Sequence, residues 1–141
     1  MAEGQKQDYI KILEDFFKKL PNLPANAREV LVSVAPWIAI IFGILGVITG
    51  LGAVGVSPLA LFGGLSSSVT VLIMGVATIV ASVLMLMAFP KLTKKAYKGW
   101  ELLFWSEVVN TVAAVMVLSV GSILGVLIGF YLLFQIKSYY K

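Results

Sequence analysis

The sequence predicts an all-α fold: a four-helix transmembrane bundle with an N-terminal amphipathic helix at the membrane interface. Three observations predict it. No Asp, Glu, Lys, Arg or His occurs from Val30 to Phe89, and a soluble fold of 141 residues could not hide such a run without exposing much of it. The chain is 60% hydrophobic and 13% charged, with a mean hydropathy of +0.98, where a soluble domain is typically about 25% charged. Between Leu102 and Ile136 lies a single charged residue, Glu107, yet as one helix that stretch would be about 53 Å long at ~1.5 Å per residue. A hydrocarbon core of roughly 30 Å takes about 20 residues. Trp100 to Lys137 therefore reads as two spans folded back at Ser119-Val120-Gly121-Ser122.

These observations divide the chain into a cytoplasmic N-terminal segment, 1–33, and a transmembrane domain, 34–141, with spans at about 34–53, 68–89, 100–119 and 121–137. In the first segment, Tyr9, Leu13, Phe16, Phe17 and Leu20 recur at helical spacing among Lys11, Glu14, Asp15, Lys18 and Lys19, so residues 9–20 read as an amphipathic helix. Pro21 and Pro24 stop it. The acidic residues that interrupt it exclude a signal peptide. It serves either as a membrane-surface anchor with Leu13, Phe16 and Phe17 inserted, or as a docking helix for a partner.

Asn26-Ala-Arg-Glu29 has the form of a capping box for the helix carrying the first span. Within that span Gly46 and Gly50 have the small-xxx-small spacing that lets another helix approach closely. Residues 54–67 form an apolar, uncharged loop with Gly55, Pro58, Gly63 and Gly64; a hairpin loop at the interface fits better than a re-entrant segment, because open backbone is not tolerated against lipid. The second span ends at Pro90, and Gly75, Thr78 and Ser82 give it a small, weakly polar stripe. Tyr97, Trp100 and Trp105 read as interfacial anchors flanking a basic linker. In the fourth span Gly121, Gly125 and Gly129 make an every-fourth-residue stripe, the strongest helix-contact signal in the chain.

The net charge of +4 comes from eleven basic residues against seven acidic ones, and the basic residues all lie outside the spans or at their ends. With four spans they all fall on one side, which places both termini in the cytoplasm by the positive-inside rule. Nucleic acid is not the partner this distribution implies; the lipid bilayer is.

Two segments carry a likeness. Gly99-Trp100-Glu-Leu102-Leu103-Phe104 and Ile128-Gly129-Phe-Tyr131-Leu132-Leu133-Phe134-Gln135-Ile136-Lys137-Ser-Tyr-Tyr140-Lys141 resemble the third and fourth spans of small, uncharacterised multi-pass membrane proteins of bacteria. The resemblance implies a bacterial inner-membrane location and this topology, and it implies no reaction or substrate.

Little catalytic equipment is present. The absence of Cys and His removes thiol chemistry and the commonest metal ligand. Gly50-Leu-Gly52-Ala-Val-Gly55 has the letters of a dinucleotide loop but leaves a span instead of joining a strand to a helix. The sequence therefore implies no enzyme, no cofactor and no metal site. Glu107 stands apart as an acid about 10 Å along the third span from Trp100, with Asn110 and Thr111 on or beside its face while Trp105, Val109, Val112 and Met116 point to lipid. An acid at membrane depth is a functional candidate by default. The reading is a non-enzymatic scaffold, assembly or accessory subunit, acting as a homo-oligomer or with a membrane-protein partner. The alternative is a small proton- or cation-coupled transporter or channel subunit using Glu107.

Overall fold

A computed structural model describes residues 2–141. Its helices are α1 (Ala2–Phe17), α2 (Ala25–Val56), α3 (Leu65–Thr93), α4 (Tyr97–Val117) and α5 (Val120–Ile136), with 3-10 turns at Leu59–Gly63 and Lys137–Tyr139. The chain is all-α, and four of its helices are long and apolar enough to cross a membrane. They form two hairpins, α2–α3 and α4–α5, joined where α3 packs on α4.

Several boundaries differ from those read in the sequence. α1 runs over Ala2–Phe17 rather than 9–20; residues 2–8 carry no apolar period, but Ala, Glu, Gln and Lys are good helix formers. Ahead of Pro21 the chain tightens, with Lys19 and Leu20 amides donating to the carbonyls of Phe16 and Phe17. The capping box does not form. α2 begins at Ala25 behind Pro24 without a side-chain cap, so Asn26 already lies inside the first turn, and Pro24 supplies the carbonyl that Arg28 N–H reaches at 3.1 Å. α2 spans 32 residues and α3 29, about 48 and 44 Å at ~1.5 Å per residue. They exceed the expected spans because residues flanking each span stay helical, including the charged Arg28 and Glu29 at the start of α2 and Lys91 in the last turn of α3. α3 also passes Pro90 by one turn, closed by the Thr93 hydroxyl donating to the Pro90 carbonyl at 2.8 Å. Residues 57–64 close the α2–α3 hairpin as a turn, with Phe62 94% exposed.

The two ends of the bundle are packed by different means. Towards the end carrying the basic residues the core is aromatic: Trp100 and Phe104 are buried, their rings 5.6 Å apart, and Phe104 lies 5.6 Å from Phe130. The indole N–H of Trp100 donates to the Leu133 carbonyl at 2.7 Å, which sets α4 against α5. α1 docks here. Ile10 and Phe17 are buried, with the Phe17 ring 5.5 Å from Phe134, while Tyr9, Ile12 and Phe16 remain exposed. The helix thus carries two apolar stripes, one on the bundle and one exposed; the expected joint insertion of Leu13, Phe16 and Phe17 does not hold as one face, since Phe17 packs on the bundle while Phe16 is exposed. Further along, α2 and α3 meet through glycines. A Cβ on Gly50 would lie 2.9 Å from the Gly75 carbonyl oxygen, and one on Gly75 would lie 3.0 Å from that of Gly50. The two backbones touch, as small residues permit.

The turns at either end of α4 are tight. Lys95 (φ 52°) and Leu118 (φ 50°) adopt the left-handed conformation, and a Cβ on Gly99 would lie 2.8 Å from the Leu92 amide. Gly99 is therefore a packing glycine the sequence did not mark out. The α4–α5 turn falls at Leu118–Ser119, slightly before the position expected, with Ser119 capping α5 by accepting from Ser122 N–H at 3.1 Å.

Candidate functional site

Glu107 sits midway along α4, held in place by what surrounds it. One residue earlier, buried Ser106 donates to the Ala81 carbonyl of α3 at 3.0 Å, fixing the rotation of α4 about its axis. On the α5 side, the Glu107 carboxyl group occupies the space a side chain on Gly129 would take; a Cβ there would lie 2.8 Å from the carboxyl carbon. Small residue and acid are complementary.

Glu107 borders two cavities. One is a crevice of about 350 Å³ between α3, α4 and α5, lined by Thr78, Asn110, Ala114, Ser122 and Gly125 with Glu107. The other, of about 190 Å³, is apolar and faces α2, where Leu31, Ala35, Met85 and Leu132 line it with Gly129. In the crevice the hydroxyls are spent locally: Thr78 donates to the Met74 carbonyl at 2.8 Å, and the Ser122 hydroxyl pairs with that of Ser119 at 2.6 Å. Thr111, expected beside the acid, donates to the main-chain carbonyl of Glu107 at 2.8 Å and does not line either cavity. The crevice is left with Glu107 and Asn110 as its distinctive polar groups.

The five glycines singled out in the sequence divide by environment. Gly46 faces the Ser82 hydroxyl and Gly50 faces Ile79 and Gly75, both on α3; Gly129 faces Glu107. Gly121 and Gly125 have nothing within 4 Å of a built Cβ. Both look onto open space, and Gly125 lines the crevice. Trp105, expected to point to lipid, is half-buried beneath α1, with Lys6 Nζ 5.8 Å from its ring centroid. Among the described residues no cluster of three or more carboxylates is placed to hold a metal ion.

The fold and this site define a multi-pass α-helical membrane protein built from two hairpins, with an acid midway along one of its four long apolar helices. Comparison with protein-family models, curated proteins and solved structures finds no match.

Proposed function

We propose that this protein is a non-enzymatic assembly or accessory subunit of a bacterial inner membrane, with both termini in the cytoplasm, that receives another membrane helix along the α3–α4–α5 crevice. The observation that carries the reading is the open space over Gly125, which lines the crevice with Glu107 and Asn110, continued one turn earlier by Gly121, which also meets no neighbour. In lipid, helices associate through small residues that permit close approach and through polar side chains that find partners across the contact. The placement of all eleven basic residues at one end supports the orientation.

The chain has no cysteine, so single cysteines report cleanly. Gly121→Cys and Gly125→Cys are expected to cross-link in native membranes, with the adduct mass separating a second copy from a partner protein, while Ile48→Cys on the lipid face of α2 is expected to stay monomeric. Equal cross-linking at all three positions, or none at Gly121 and Gly125, would overturn the proposal.

A second reading rests on one observation, the position of Glu107 between two cavities on different sides of α4. A proton-handling group in a small transporter needs such access.

A further inference from the structure

At the basic end, α1, the start of α2, the start of α4 and the C-terminal turn border an open cavity of about 630 Å³ with both polar and apolar walls. Three cations line it, Lys18, Arg28 and Lys137, against one carboxylate, Glu14. Glu14 is shared: Lys18 approaches one of its oxygens at 3.3 Å and Lys137 pairs with the other. Arg28 has no ion-pair partner among the described residues, and its Nε is buried without a hydrogen bond. Tyr140, 4% exposed on the same wall, has an unpartnered buried hydroxyl. Uncompensated buried donors are costly and ask for an acceptor. The cavity has an excess of positive charge and a free guanidinium, whose fork matches phosphate oxygens.

Phe17 also forms a wall of a second concavity, a groove of about 450 Å³ lined by Phe16, Leu20, Leu124, Leu127, Ile128 and Tyr131. It runs along α5 away from the basic end. A cationic chamber that shares a wall with an apolar groove at membrane depth matches an amphiphile.

We infer that the two together bind one anionic phospholipid, its phosphodiester in the chamber of Lys18, Arg28 and Lys137 and an acyl chain in the groove beside Phe17. The chemistry required in the chamber is a phosphate, and the groove selects the lipid source over a free one. The site is separate from the Glu107 crevice and does not depend on the role proposed there.

Native mass spectrometry of the full chain in detergent, titrated with dioleoyl phosphatidylglycerol or dioleoyl phosphatidylcholine, tests it. Saturable binding of one phosphatidylglycerol, tighter than phosphatidylcholine, is expected. Arg28→Gln is expected to weaken it about fivefold, as is Lys18→Gln, a more exposed position that leaves the fold intact, since each basic group near an anionic headgroup contributes on the order of one such step. Dihexanoyl phosphatidylglycerol is expected to bind more weakly than the dioleoyl lipid. Equal affinity for the two headgroups, or no effect of either substitution, would overturn the inference. Displacement of phosphatidylglycerol by glycerol 3-phosphate or inorganic phosphate at matching concentration would overturn the lipid assignment and leave a soluble phosphate as the ligand.

Discussion

The carboxyl group of Glu107 lies where a side chain on Gly129 would be, so the acid of α4 and the glycine of α5 occupy one site between them. Adding a methyl at Gly129 forces Glu107 to move or the helices to part. Gly129→Ala is expected to destabilise the protein by about 1–3 kcal/mol, the usual cost of overpacking. Gly125→Ala, which meets nothing within 4 Å, is expected to leave the monomer unchanged or stabilise it by up to about 1 kcal/mol through helix propensity. Thermal unfolding in detergent, run on both variants, compares them directly. A stripe of three equivalent contacts would make both substitutions costly.

That contrast shows what was legible in the sequence. Spacing alone identified Gly121, Gly125 and Gly129 as a stripe, but every-fourth-residue spacing cannot say which of its members meets a neighbour, and here only the last does. The hairpin from Trp100 to Lys137 was legible because length against membrane thickness leaves few alternatives. The docking of α1 was not, since Ile10 and Phe17 on one side and Ile12 and Phe16 on the other are equally apolar, and a membrane gives each a suitable neighbour. The chamber of Lys18, Arg28 and Lys137 was also out of reach. Its cations come from three separate segments, and each taken alone marks only a cytoplasmic end. Gly99 and Ser106 owe their importance to α3 passing close by, a fact of tertiary structure that no local pattern records.

Lys95 is held at φ 52° in the α3–α4 turn, its carbonyl accepting from the Lys141 amide at 3.1 Å and the neighbouring Tyr97 amide donating back to Lys141 at 3.0 Å. The left-handed conformation costs a side-chain-bearing residue roughly 1–2 kcal/mol, and glycine avoids it. Lys95 is exposed, so little packing is lost on replacement. Lys95→Gly is expected to raise stability by about 1 kcal/mol, read as a higher unfolding temperature. A lower one would mean that the turn is not set by this residue.

Glu14 links α1 to the end of α5. Burial pushes its carboxyl up, but the hydrogen bonds and charges of Lys137 and Lys18 together pull it further down, so it lies below the ordinary carboxylate value. A depressed folded-state value means that the ionised form stabilises the fold. Its contribution is present in full above the unfolded value of about 4.3, and it is lost as pH falls through the lower folded value. Glu14→Gln is expected to be less stable than the parent at pH 7, with the difference shrinking below about pH 4. Unfolding temperatures of the two proteins across that range check it; a difference that grows on acidification would reverse the sign assigned to the pair.

Replacing Glu107 by its amide separates a structural role from a transport role. As a structural group it fills the space over Gly129 and offers the crevice a polar contact for an incoming helix, tasks that an amide of the same shape performs as well. As a transport group it must take up and release a proton, which an amide cannot do. Glu107→Gln is therefore expected to insert, fold and cross-link through Gly121→Cys as the parent background does, because the shape against Gly129 and a hydrogen-bonding end are both retained. Glu107→Leu, of smaller length and no polarity, is expected to weaken cross-linking while still inserting, since a polar contact across membrane helices contributes about 1 kcal/mol. Proteoliposomes carrying an internal pH dye supply the second measurement. If the parent protein dissipates or uses a proton gradient and Glu107→Gln abolishes that flux while cross-linking and unfolding temperature stay unchanged, the acid belongs to a transport mechanism and the docking role falls. Flux indistinguishable from empty liposomes, together with cross-linking that Glu107→Gln preserves and Glu107→Leu weakens, assigns Glu107 to helix recognition.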